Sequence, residues 1–170
     1  MKSDSGAGNE VLAGECRERA LRLLERKPHS TAQLRRKLRD RGFPSDIVEG
    51  ILSDFQRVAL LDDLQVARDY CAGMREHGAP CGRARIASRL RRYGISQAIV
   101  EQALCEEWDA DGRERELERA IAAAERKLRL MVADEPLHRR RGKLYRYLSS
   151  RGFDGETCRA CIDRVIETGD

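Results

Sequence analysis

Residues 38–48 read LRDRGFPSDIV, residues 90–100 read LRRYGISQAIV, and residues 148–158 read LSSRGFDGETC. Superposing Gly42, Gly94 and Gly152 brings the three strings into register. Four positions before each glycine stands Leu38, Leu90 or Leu148, and four before those stands Leu34, Ile86 or Leu144. Steps of four lay these residues on one helix face. The glycine suits a helix end, where a left-handed backbone is cheap only without a β-carbon. The apolar residue that follows, Phe43, Ile95 or Phe153, sits five beyond that leucine, as a Schellman ending requires. It also lies five before Val48, Val100 or Cys158, the spacing of a hydrophobic staple on the next helix. Ser96 and Asp154 are good N-cap residues in between; Pro44 departs from the pattern. Each string therefore reads: stop a basic helix, turn, begin another.

Working outward, the helices after the glycine show Ile47, Val48, Ile51, Leu52 and Phe55, then Ile99, Val100, Ala103 and Leu104, then Cys158, Cys161, Ile162 and Val165. Periodic segments also precede each basic helix, with apolar faces at Cys16, Ala20 and Leu23, at Ala67, Cys71 and Met74, and at Leu117, Ile121 and Ala124. Ser30 with Gln33, Asp62 with Gln65, and Asp111 with Glu114 have capping-box spacing. The predicted fold class is all-α, as three tandem three-helix repeats in an elongated, curved array. We expect a flexible tail over 1–15, then repeats over 16–59, 60–110 and 111–170, with extra length in the VADEPL loop. Units of about fifty residues bury little alone, so neighbours must stack.

Composition fits. Charged residues are 36% of the 170 and aromatics only 5%, too few large apolar side chains for one deep core. No run approaches the roughly 18 apolar residues that span a bilayer, so a membrane is not expected as a partner. The first residues lack a charged-then-apolar export layout. Six cysteines without such a signal suggest reduced thiols and a cytoplasmic location.

The net charge of +4 is unevenly spread. Residues 33–43, 82–93 and 139–151 hold 16 of the 33 basic residues with a single acid, Asp40. The second segment is the sharpest. Arg85, Arg89 and Arg92 follow i, i+4, i+7 beside an apolar stripe of Ile86, Leu90 and Tyr93. The expected binding residues are Arg83, Arg85, Arg89, Arg91 and Arg92 first. Arg35, Arg36, Lys37 and Arg39 follow, then Arg139, Arg140, Arg141 and Lys143. Guanidinium groups suit phosphates, and equally suit carboxylates on a protein surface. A charge run is most often a solvated face, but the same bias in three copies favours a binding role.

Catalytic patterns are weak. Cys158 and Cys161 form a CxxC with no further ligands at zinc spacing, and their register matches apolar positions in the other copies, so buried thiols are expected. Cys81 falls in a loop and is expected to be exposed. His29, His77 and His138 lie near helix ends and read as surface or cap residues. Asp62 and Asp63 read as a helix start rather than a metal site. Trp108 continues the Val100 and Leu104 spacing and is expected to pack between copies. No phosphate-cradling glycine loop or nucleophile elbow is present. We expect no enzyme activity, no cofactor and no metal.

At residues 20–55 (ALRLLERKPHSTAQLRRKLRDRGFPSDIVEGILSDF), 60–70 (LLDDLQVARDY) and 82–104 (GRARIASRLRRYGISQAIVEQAL), the chain resembles the RecX family, bacterial regulators of RecA recombinase. It departs at Val66, where the family favours an aromatic, and at Thr157–Cys158, where the other copies have Ile–Val. The resemblance implies a non-enzymatic modulator, usually an inhibitor, lying in the groove of the RecA–DNA filament. It would restrain ATP hydrolysis, strand exchange and LexA-cleavage stimulation. The implied partners are the RecA filament and, weakly and electrostatically, single- and double-stranded DNA, with the chain itself a monomer. Two other readings stay open: a helix-turn-helix DNA-binding regulator, and a helical protein-interaction scaffold with a solvated basic face.

Overall fold

The computed structural model describes residues 4–109, 112–131 and 136–167. Among the described residues there are nine α-helices and no strand. They are α1 (Asp4–Arg26), α2 (Thr31–Arg39), α3 (Ser45–Arg57), α4 (Asp63–His77), α5 (Arg83–Arg92), α6 (Gln97–Ala103), α7 (Gly112–Leu128), α8 (Leu137–Ser150) and α9 (Gly155–Glu167). One π-helical stretch, Leu104–Trp108, continues α6. Three successive helices share each core. Leu34, Leu38, Val48 and Phe55 anchor the first; Ile86, Leu90, Val100 and Trp108 the second; Leu144, Leu148, Phe153 and Cys158 the third. The third is lined by Ala120, Ala123, Ala124 and two cysteines, so it buries the smallest side chains.

The repeated turn is built the same way three times. Gly42, Gly94 and Gly152 have φ of 86°, 79° and 86°. The N–H of Phe43, Ile95 and Phe153 donates to the carbonyl of Leu38, Leu90 and Leu148 at 3.4, 3.3 and 3.3 Å. The glycine N–H donates three residues back in each copy, which completes the Schellman pair. Ser30 and Gln33 form a full capping box on α2. Asp62 caps α4 through Leu64 and Gln65, but the Gln65 side chain turns to Asp69, so only half of that box forms. Asp111 and most of the VADEPL loop lie outside the described residues.

The structure corrects three expectations. The tail expected over 1–15 is helical from Asp4 onward, because Leu12 and Ala13 continue the Cys16–Ala20 face by one turn and pack on the first core. Cys81, just before α5, is buried within the second core, and burial pushes its thiol up; the exposed cysteine is Cys105. His29 is buried rather than superficial. Cys158 and Cys161 are free, buried thiols as expected, with Cys161 pushed up to about 12 by desolvation.

Candidate functional site

The basic helices α2, α5 and α8 are joined end to end. At the start of α5, the Gly82 N–H donates to the Arg151 carbonyl at 3.0 Å and the Ala84 N–H to the Gly152 carbonyl at 3.2 Å. The Arg83 N–H is taken by Glu116 of α7 at 3.1 Å. Gly82 has no side chain with which to cap α5. The third unit supplies the acceptors instead, and the carbonyl-rich end of α8 meets the N–H-rich end of α5, which aligns their dipoles favourably.

The joint between the first and second units repeats this in register. Ser30 stands where Gly82 stands, and its Oγ donates to the carbonyl of Tyr93, the counterpart of Arg151. Thr31 stands where Arg83 stands, and its N–H is taken by Asp63 of α4 at 2.7 Å. In both joints a carboxylate from the first helix of the next unit caps the preceding basic helix. The joints are also tight. A β-carbon on Gly94 would lie 2.3 Å from the Ala32 β-carbon, and one on Gly152 would lie 2.4 Å from the Arg85 nitrogen.

Along this file the basic side chains divide into two groups. Arg83 is half-buried and donates to Glu101 at 2.7 Å and Asp109 at 3.0 Å. Burial lowers its pKa, and the two carboxylate hydrogen bonds more than reverse that, so it is raised overall. Arg35 grips Glu49 with two N–H groups at 2.7 and 2.8 Å, and Arg39 joins at 3.4 Å. Arg141 pairs with Asp163. Arg83, Arg35, Arg39 and Arg141 thus hold the helix that follows the glycine, whose acids are their partners.

The second group faces outward. Arg85, Arg89, Arg91 and Arg92 are exposed, as are Arg36, Arg139 and Lys143; Lys37 and Arg140 are half-buried. Arg85 reaches the Ser150 carbonyl at 3.3 Å, and Arg91 reaches Gln97 at 3.3 Å. Arg89 lies over the Tyr93 ring, 5.4 Å from its centroid, and Tyr93 is packed edge-on against Tyr70. Tyr93 is thereby half-covered and offers little free face for a stacked base. Sequence reasoning missed Arg151, which covers Tyr147 at 5.0 Å, and Arg119, which covers Trp108 at 4.4 Å. Arg119 sits in a helix of mixed charge with no positional signal, and its partner belongs to another unit. No cluster of three or more metal-binding side chains occurs among the described residues.

The Arg35–Glu49 pair makes a pH prediction. The hydrogen bond from Arg35 holds the Glu49 carboxyl below its ordinary value of 4.5. A carboxylate depressed by folding adds stability above its unfolded pKa, and that stability is lost as pH falls through the folded value. Glu49 is 45% exposed, so solvent screening keeps the contribution under ~1 kcal/mol. Glu49→Gln should flatten the acid limb of stability measured by urea unfolding over about pH 3 to 6. An unchanged limb would show the pair to be energetically idle.

Comparison with known proteins follows the same geometry. The family model for the first three-helix domain of RecX matches residues 16–54, and that for the third matches residues 114–162. The regulatory protein RecX of Prosthecochloris aestuarii is 32% identical over 148 residues, which is 87% of this chain and 91% of the relative. That of Halorhodospira halophila is 31% identical over 97% of this chain and 94% of the relative. The crystal structure of RecX from Lactobacillus salivarius superposes with a TM-score of 0.79 at 21% identity, covering 91% of this chain and 97% of that one.

Proposed function

This chain belongs to the RecX family of regulatory proteins, and from that premise we propose that it modulates RecA recombinase without chemistry of its own. It would dock its file of basic helices in the groove of the RecA–DNA filament. Occupying that groove would restrain ATP hydrolysis, strand exchange and LexA-cleavage stimulation. The observation that carries the reading is the exposed stripe of Arg85, Arg89 and Arg92 on the middle helix of the file. The neighbouring Arg83 is tied to Glu101 and Asp109, so the local acids are already paired off and leave the stripe to phosphates or acidic surfaces. No helix among the described residues is long and apolar enough to cross a membrane.

The helix-turn-helix alternative is less well supported. The element after the glycine in the second unit is α6, seven residues long, with Val100 and Ala103 buried and Glu101 paired to Arg83. Such a helix has little to offer base edges.

The test replaces Arg85, Arg89 and Arg92 together with alanine and leaves Arg83 intact. Helicity by circular dichroism should persist, while the concentration needed to inhibit the RecA ATPase rises roughly tenfold, as the loss of a few charge-assisted contacts dictates. In direct DNA binding, the log–log salt slope should shrink by about 0.9 for each lost contact to a duplex phosphate. Full inhibition by the triple variant would remove the stripe from the mechanism.

A further inference from the structure

Two features of this chain lack a partner and are opposite in chemistry. The first is an open groove of about 400 Å³ where the end of α1 and the α3–α4 turn face α4. Leu21, Leu24, Leu60 and Val66 line it, with Glu25 and Asp69 among its acids. Ala59, held in the left-handed region at φ 55°, turns Leu61 into the first core and leaves Leu60 outside, 51% exposed. His29 also lines the groove and is only 2% exposed. Its Nδ1 lies 2.8 Å from the Lys27 carbonyl, so Nδ1 carries the proton and donates. Nε2 is then a buried acceptor, and it has no partner. Burial holds the ring below the ordinary imidazole range, which keeps that lone pair free at neutral pH. An unsatisfied buried acceptor beside apolar walls and acids calls for a ligand with an aliphatic side chain and a cationic N–H donor.

The second feature is the turn that follows α7. Leu130 is 82% exposed, the most exposed large apolar side chain among the described residues. Its N–H donates to the Lys127 carbonyl at 3.0 Å, which fixes the turn. Arg126 and Arg129, four residues and one residue before it, are exposed. An aliphatic knob with a guanidinium collar is the chemistry the groove lacks.

We propose that Leu130 and its arginines occupy this groove on a second copy of the chain, so that copies associate head to tail. The groove belongs to the first unit and α4, the knob to the third unit, so the contact is heterologous and extends rather than closes. This goes beyond the monomer expected from sequence, and it does not rest on the RecA reading.

Sedimentation velocity over a concentration series up to about 1 mM tests the proposal in the range of a weak contact. The intact chain should pass from monomer through dimer to longer species, with association weakened by salt. Leu60→Glu places a charge in the groove and Leu130→Glu removes the knob. Each should weaken association at least ~10-fold, because a leucine buried in the contact is exchanged for a carboxylate that must be desolvated there. Mixed together, the two variants should give a one-to-one dimer and nothing longer, since Leu60→Glu keeps its knob and Leu130→Glu keeps its groove. Both side chains are exposed, so helicity should survive. If either variant loses helicity, Glu25→Lys and Arg129→Glu replace the pair: each weakens association alone, and the mixture regains both contacts, one native and one with its charges exchanged, so that alternating chains grow. A chain that stays monomeric across the series, variants that associate like the parent, or a mixture that remains monomeric would each overturn the proposal.

Discussion

Gly82→Ala is expected to cost about 2–4 kcal/mol, concentrated at the joint between the second and third units. Gly82 has an ordinary backbone, with φ −91° and ψ 168°, so alanine is locally acceptable there. The added methyl, however, would sit 2.3 Å from the Gly152 carbonyl oxygen and 2.5 Å from the Gly152 carbon and the Phe153 nitrogen. Those are backbone atoms of a hydrogen-bonded turn and cannot swing aside. The units must separate by part of an ångström or more, which stretches the bonds from Gly82 and Ala84 that cap α5. The third unit, with the smallest buried side chains, has the least independent stability to fall back on. Urea unfolding followed by circular dichroism should therefore split into two transitions, the earlier one carrying the third unit. Gly42→Ala is the control. Gly42 has φ 86° with nothing within 4 Å of an added β-carbon, so only the left-handed backbone is penalised, by roughly 1–2 kcal/mol. A single transition for Gly82→Ala, at or above the Gly42→Ala midpoint, would show that the joint does not hold the units together.

Trp108→Ala should destabilise the second unit by about 3–5 kcal/mol. Trp108 is the sole tryptophan, 1% exposed, and the largest side chain in its core. The π-helical stretch Leu104–Trp108 carries it there, and Arg119 of α7 closes over its ring at 4.4 Å. Removing the indole opens a cavity in the second core and takes away the ring that Arg119 of α7 covers. Trp108→Phe separates size from polarity. The indole Nε1 is buried with no acceptor, and phenylalanine removes that unpaired group while keeping most of the ring volume. It should therefore lose no more than about 1.5 kcal/mol. Thermal unfolding by circular dichroism reads both variants. A Trp108→Ala chain within about 1 kcal/mol of the parent would mean that the pocket collapses freely and that the residue does not couple the units.

The two groups of arginine show where reading the chain stops. Arg83, Arg85, Arg89, Arg91 and Arg92 are alike in type and share one ten-residue helix, and the sequence offers all five as candidates. Folding takes Arg83 out of that set, because Glu101 and Asp109 lie 18 and 26 residues away and come within 3.0 Å only once α6 packs back. Arg35 is withdrawn by Glu49 in the same manner. A partner one or two helices distant leaves no periodic trace. His29 and Cys81 escape a reading from sequence for a related reason: both sit in connections, and connections are normally exposed, but these two are covered by neighbouring elements.

The three helical units and the glycine turn in each can be read from the chain. Those depend on four-residue steps and on a left-handed backbone that glycine accepts, and both are set within a dozen residues. The chain also shows where positive charge concentrates. The tertiary structure alone decided that the basic helices stand in file, that Asp63 and Glu116 cap the helix of the preceding unit, and which guanidinium groups are left for a partner. The joints connect residues 63 and 65 positions apart, such as Ser30 with Tyr93 and Arg85 with Ser150. Hydrogen bonds over that separation exist only after three small cores have formed and stacked.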